Sequence, residues 1–162
     1  MRKTLILTAS VACIASMFLA ASAAYSKPVS KTASAGPYTI ILKVLPAESF
    51  SGPNAKMVRD AGAKPIMLNS TPKPDHHMVV FVKRNGMPVE DARVSIRYQE
   101  FKPQTTGWTD LPVTRMYVSG MGAKTTHYGN NLVLGAGSYK VLVSVNGKGP
   151  EQFTFTLPVA GS

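Results

Sequence analysis

Ala92-Arg93-Val94-Ser95-Ile96-Arg97-Tyr98-Gln99 alternates between apolar and polar residues without a break, and that alternation specifies a half-buried β-strand. Successive strand side chains point to opposite faces. Ala92, Val94, Ile96 and Tyr98 therefore share a dry face, and Arg93, Ser95, Arg97 and Gln99 a wet one. Tyr139 to Val145 repeats the pattern, with Tyr139, Val141, Val143 and Val145 inward. Glu151 to Leu157 does so again through Phe153, Phe155 and Leu157. Four further segments, Tyr38 to Leu45, His76 to Arg84, Val113 to Val118 and Tyr128 to Leu134, are rich in β-branched and apolar residues. Asn85-Gly86 and Asn146-Gly147 both tolerate positive φ and mark hairpin turns. No segment carries a long amphipathic helix. Seven strands separated by turns predict an all-β, immunoglobulin-like antiparallel β-sandwich, with a closed barrel as the structural alternative. Gly137-Ser138-Tyr139 resembles a tyrosine corner, and Val141 stands where antibody-type domains place their second cysteine.

The chain ahead of these strands reads as an address. Arg2 and Lys3 precede an uncharged apolar run from Leu5 to Leu19, and Ala21-Ser22-Ala23-Ala24 offers small residues to a signal peptidase. Residues 1–24 are expected to be a signal peptide cut near Ala23 to Tyr25, with an uncleaved anchor as the rival reading. The expected location is periplasmic or secreted. Residues 25–37, rich in Ser, Lys, Ala and Pro, read as a flexible leader, and 38–158 as one domain. Cys13 falls inside the signal, so the mature chain has no thiol for a disulfide or a thiolate metal site. Segment 46–75 carries prolines at 46, 53, 65, 72 and 74. It is expected to be a partly ordered crossover covering one end of the sandwich. Within it, a short helix from Asn54 to Asp60 and an edge strand from Pro65 to Leu68 are both compatible with the residues.

Composition narrows the chemistry. Removing Arg2 and Lys3 takes the formal charge from +10 to +8. The cations are scattered rather than run together and have no interleaved aromatics, which argues against nucleic acid and leaves an anionic envelope surface as a candidate partner. No nucleophile elbow, phosphate loop, HExxH or paired-carboxylate motif is present, so the chain is not expected to be an enzyme. Imidazole and thioether remain. The three histidines are His76, His77 and His127, and thioethers stand at Met78, Met116 and Met121 in segments that could approach them. His76 shares a strand face with Met78, Val80 and Val82, and His77 with Val79 and Phe81. One of the pair can join His127 and a methionine while the other points elsewhere, unless a β-bulge at Asp75 or His76 turns both inward.

His127-Tyr128-Gly129-Asn130-Asn131-Leu132, followed by Gly135-Ala136-Gly137-Ser138-Tyr139-Lys140-Val141, resembles the His-Tyr-Gly segment of the periplasmic iron-uptake accessory proteins. Those are immunoglobulin-like copper- or iron-binding proteins that accompany high-affinity iron permeases. Leu111-Pro112 and Met116 resemble their methionine-bearing strand, and the likeness spans about residues 76–157. It implies that His127, Met116 and one of His76 or His77 hold copper. Lys124-Thr125-Thr126 departs from the family's Asp-Gly-Pro, and its additional acidic metal residue has no clear match.

The expectation is a periplasmic metal-binding protein that stores, delivers or senses an ion. The metal is copper before iron, and the candidate ligands are His127, His76, His77, Met116 and Met121. An inner-membrane permease or another envelope protein is the expected partner. The alternative is a non-catalytic envelope interaction module. Occupancy should fall as pH drops through about 6.5, the unperturbed histidine value.

Overall fold

The computed structural model describes residues 28–50, 64–103, 106–118 and 120–159. The signal peptide and the Asn54 to Asp60 helix expected from the sequence lie outside those residues. Ten strands follow one another: β1 (Val29–Ala35), β2 (Tyr38–Pro46), β3 (His76–Arg84), β4 (Met87–Pro88), β5 (Val94–Glu100), β6 (Thr109–Leu111), β7 (Thr114–Met116), β8 (His127–Leu132), β9 (Gly137–Val145) and β10 (Lys148–Leu157). A 3-10 turn, Ala123–Thr125, precedes β8. Among the described residues no helix is long and apolar enough to cross a membrane.

The strands form two antiparallel sheets. One has the order β1-β2-β3-β8-β7 with β4 beside β3, and the other the order β10-β9-β5-β6. Two separate sheets make this a sandwich rather than a closed barrel. The sequence of neighbours is that of an immunoglobulin domain, with β2, β3, β8 and β7 as its A, B, E and D strands and β5, β9 and β10 as its C, F and G strands. Tyr139, at the start of β9, donates its hydroxyl proton to the Gly135 carbonyl at 2.8 Å, closing the tyrosine corner. Val141, two residues on, is wholly buried.

The interior follows the alternation. Ile40, Leu42 and Val44 of β2 and Met78, Val80 and Val82 of β3 meet Ile96, Val141, Val143, Phe153 and Phe155 of the other sheet. Each such side chain contributes about 1.5–3 kcal/mol of burial. Tyr128 ties the sandwich to the connection after β4. Its hydroxyl donates to the Val89 carbonyl at 2.6 Å and accepts the Ala92 N–H at 3.0 Å.

Seven strands were expected, and all seven form. The other three carry no alternating signal. β4 and β6 are too short for one. β1 lies in the segment read as a flexible leader, and here that reading is corrected. Val29 to Ala35 pairs residue for residue with Val44 to Tyr38. Its Ser, Lys, Thr and Ala side chains lack an apolar period because an edge strand is held by backbone hydrogen bonds to its one neighbour. The chain changes sheets within Pro112-Val113, between β6 and β7, so the strand expected from Val113 to Val118 forms only as the short β7. Pro65 to Leu68 is not a strand, and the chain there turns, with Ser70 N–H donating to the Met67 carbonyl.

Gly129 sets the closeness of β3 and β8. It is the register partner of Val79, and a Cβ on it would strike the Met78 carbonyl oxygen and lie 2.8 Å from the Val79 Cα. Both obstacles are backbone, which cannot rotate aside. Gly129→Ala is therefore expected to lose about 3 kcal/mol or more of stability, read as a lower denaturation midpoint in urea. A Gly86→Ala variant, whose new Cβ meets nothing within 4 Å, separates this steric effect from backbone strain at its turn.

Candidate metal centre

Both faces of β3 are buried. Its inward face, Met78, Val80 and Val82, belongs to the sandwich interior. Its outward face, His77, Val79 and Phe81, forms a second apolar cluster with Phe50, Met116 and Leu45. A sandwich sheet normally leaves its outer face wet, so the cover over this one needs a cause.

That cause is Asn131, the register partner of His77 on β8. Its amide NH2 donates to the Glu48 carbonyl at 2.7 Å and to the Ile66 carbonyl at 2.9 Å. Its Oδ1 accepts the Glu48 N–H at 3.1 Å and a His77 ring proton at 2.9 Å. Asn130 holds the same crossover through the Lys64 carbonyl, the Ile66 N–H and, in addition, the Pro112 carbonyl. The two flanks of the long β2–β3 connection are thereby laced onto β8. Phe50 is carried over His77, with ring centroids 5.9 Å apart.

His77 and His127 meet beneath this cover. Their ring centroids are 6.2 Å apart and their planes nearly perpendicular, at 89°. Phe81 packs against the far side of His127 at 5.2 Å. Met116 on β7 is the register partner of His127, and side chains directly opposite in an antiparallel pair have Cβ atoms about 4.5–5.5 Å apart. His77, His127 and Met116 are 1%, 5% and 2% exposed.

The hydrogen bonds fix which ring nitrogens carry protons. Asn131 turns its oxygen toward His77, because its NH2 is spent on two carbonyls, so His77 Nδ1 must donate. His127 Nδ1 faces the Thr125 carbonyl at 2.9 Å and also must donate. In the neutral rings both Nε2 atoms are then unprotonated and hold lone pairs. His77 Nε2 is fully buried and has no hydrogen-bond partner among the described residues. An orphaned acceptor of this kind is rare in a native interior and calls for a reason.

Burial keeps both rings neutral. It pushes His77 down from 6.5 to about 4, helped by the neighbouring His127 and opposed by the Asn131 hydrogen bond. It also lowers His127, against the Thr125 carbonyl and the Glu48 carboxylate. The sequence value of about 6.5 for loss of occupancy is therefore too high for His77, because desolvation penalises the imidazolium.

The other two candidate ligands lie elsewhere. His76 takes the opposite parity at the mouth of β3, where its Nδ1 contacts Asp75 Oδ1 at 2.8 Å. The ladder runs without interruption through Pro46 and His76, so no bulge turns it toward His77. Met121 is 51% exposed, on a loop between two glycines of positive φ. Among the described residues there is no group of three or more His, Cys, Asp or Glu suited to a metal ion, and the set brought together is two imidazoles and a thioether. Asn131, Asn130 and Glu48 were not singled out from the sequence. The adjacent asparagines after His-Tyr-Gly were the available signal, since two amides inside an apolar strand need partners.

No family model and no curated protein matches the sequence. The fold is similar to the crystal structure of a DUF4426 family protein from Pseudomonas aeruginosa PAO1, with a TM-score of 0.47 and 16% identity over 82% of this chain and 97% of that one.

The neutral rings make stability depend on pH. Unfolded, His77 takes up a proton at about 6.5, and folded only at about 4. The unfolded state binds the proton first, so stability is complete above about pH 6.5, declines as pH falls and levels off below about 4. The loss is on the order of 3 kcal/mol. Urea denaturation of wild type and His77→Gln, which retains a donor to Asn131, should show a steeper decline between pH 6.5 and 4.5 in wild type. Parallel declines would mean that His77 is not held neutral by burial.

Proposed function

We propose that this chain is an exported, non-catalytic metal-binding protein that holds one copper(I) ion with His77 Nε2, His127 Nε2 and Met116 Sδ, and stores or delivers it. The observation that carries the reading is the buried lone pair of His77 with no partner among the described residues, in a ring already oriented from behind by Asn131. Metal-binding histidines characteristically donate their other ring proton to an oxygen in this way. Metal–nitrogen bonds of about 2.0–2.1 Å put two imidazole centres on one ion roughly 5–6.5 Å apart, and the observed 6.2 Å falls in that range.

The donor set favours the softer ion. Two neutral imidazoles and a thioether suit copper(I), because the soft thioether selects it, whereas imidazole alone suits zinc and iron as well. The apolar shell of Phe50, Val79 and Phe81 also disfavours a more highly charged, more strongly hydrated ion. The resemblance of the His-Tyr-Gly segment to periplasmic iron-uptake accessory proteins supports the same reading, and an iron permease is the partner class it implies. Bound copper(I) would supply a redox-active, exchangeable cargo, and the protein's part is to orient the donors and exclude water.

The mature chain should take up one copper(I) per molecule in anaerobic competition with a chromophoric chelator. His127→Gln and Met116→Leu should each weaken binding by about tenfold or more. Met116→Leu should also abolish the sulfur scatterer in X-ray absorption, while His76→Ala and Met121→Leu change neither readout. Binding that survives in His127→Gln and Met116→Leu but vanishes in His76→Ala would refute the assignment. An absence of stoichiometric binding would leave an envelope interaction module as the better reading.

A further inference from the structure

The second sheet turns a different surface to solvent. Its outward positions are Ser95, Arg97 and Gln99 on β5, Ser138, Lys140, Leu142 and Ser144 on β9, and Gln152, Thr154 and Thr156 on β10, and Arg93 stands just ahead of β5. Two aromatic rings stand at this face, each beside a cation. The Arg97 guanidinium is 5.9 Å from the Trp108 centroid, and Lys140 Nζ is 4.4 Å from that of Phe101. Phe101 is 64% exposed, an unusual state for a residue of its size. Arg97 and Phe101 are four residues apart in sequence, roughly 13 Å along an extended chain.

A groove of about 470 Å³ runs beside Phe101 to Lys31, which reaches in from β1 of the other sheet. Its floor carries Lys140 opposite Thr154 and Ser138 opposite Thr156. The Ser138 and Thr156 hydroxyls share a hydrogen bond of 2.9 Å, which holds them in a fixed row. The nearby carboxylates are Glu100, engaged by Lys102 at 2.7 Å, and Asp110, the register partner of Arg97.

We infer that this face binds an acidic polysaccharide, an extended chain of uronate-bearing sugars. The three chemistries present match the three parts of such a chain. Lys31, Lys140 and Arg97 offer positive charge to carboxylates. The open side of Phe101 offers an apolar ring to the C–H face of a pyranose. The serine and threonine row offers neutral donors and acceptors to sugar hydroxyls. The spacing of the two cation–aromatic pairs requires a ligand several sugars long. A duplex or single-stranded nucleic acid would call instead for denser cations along its phosphates, and here neutral hydroxyls separate them. Lys31 apart, the surface lies on the opposite sheet from His77 and His127, so the inference does not depend on copper.

The probe is hexagalacturonate, titrated calorimetrically into the mature chain at low salt, with maltohexaose, oligodeoxythymidylate and phosphatidylglycerol vesicles as comparisons. Hexagalacturonate should bind, maltohexaose should not, and binding should weaken as salt screens the exposed cations. Phe101→Ala and Lys140→Gln should each weaken it by about fivefold or more, on the scale of an exposed cation–π or aromatic contact. Lys83→Gln, in the other sheet, should have no effect. No binding at low salt, equal binding by the Phe101 and Lys140 variants, or tighter binding of oligodeoxythymidylate or the vesicles would overturn the inference.

Discussion

The amide of Asn131 is the interaction on which the arrangement around β3 depends. It satisfies a carbonyl and an N–H of Glu48, a carbonyl of Ile66 and a ring proton of His77 together. A primary amide has two donors and an acceptor with two lone pairs, so its capacity is fully used. Buried polar groups of this kind are costly when half satisfied and rigid when complete. One side chain thereby settles where the crossover lies, whether the outer face of β3 is dry, and which nitrogen of His77 is protonated.

The consequence is a sheet with two unequal interiors. Between the sheets lies a conventional apolar core. Outside the first sheet lies a smaller one whose polar neighbours are His77, His127 and Asn131. Gly129 permits it, because only a residue without a Cβ lets β8 approach the β3 backbone here. Desolvation then keeps the two rings neutral, and a neutral ring whose inner nitrogen is spoken for presents its outer lone pair. The chemistry proposed for the site thus follows from packing and from the neutrality of its two rings. The outward face of the second sheet has no such cover among the described residues and supports a different kind of contact.

The fold was largely legible in the chain. Strict alternation in Ala92 to Gln99 and Tyr139 to Val145, and the two Asn-Gly turns, fix strands and hairpins locally. The tyrosine corner is local too, since Tyr139 reaches only four residues back. β1 was missed because its register is imposed by β2 rather than by its own residues. The parity argument separated His76 from His77, but parity alone could not say which of them faces His127.

The sequence by itself determined the alternation of faces, the hairpins and the supply of soft donors, because each follows from neighbours within a few residues. Only the tertiary structure decided that His77 joins His127 and Met116, that His76 and Met121 stand apart, and that the crossover roofs the pair. Those outcomes rest on hydrogen bonds such as Asn131 to Glu48 and Asn130 to Lys64, whose partners are 83 and 66 residues apart. The free energy that selects such contacts comes from drying one face of a sheet, a property no short segment of the chain possesses.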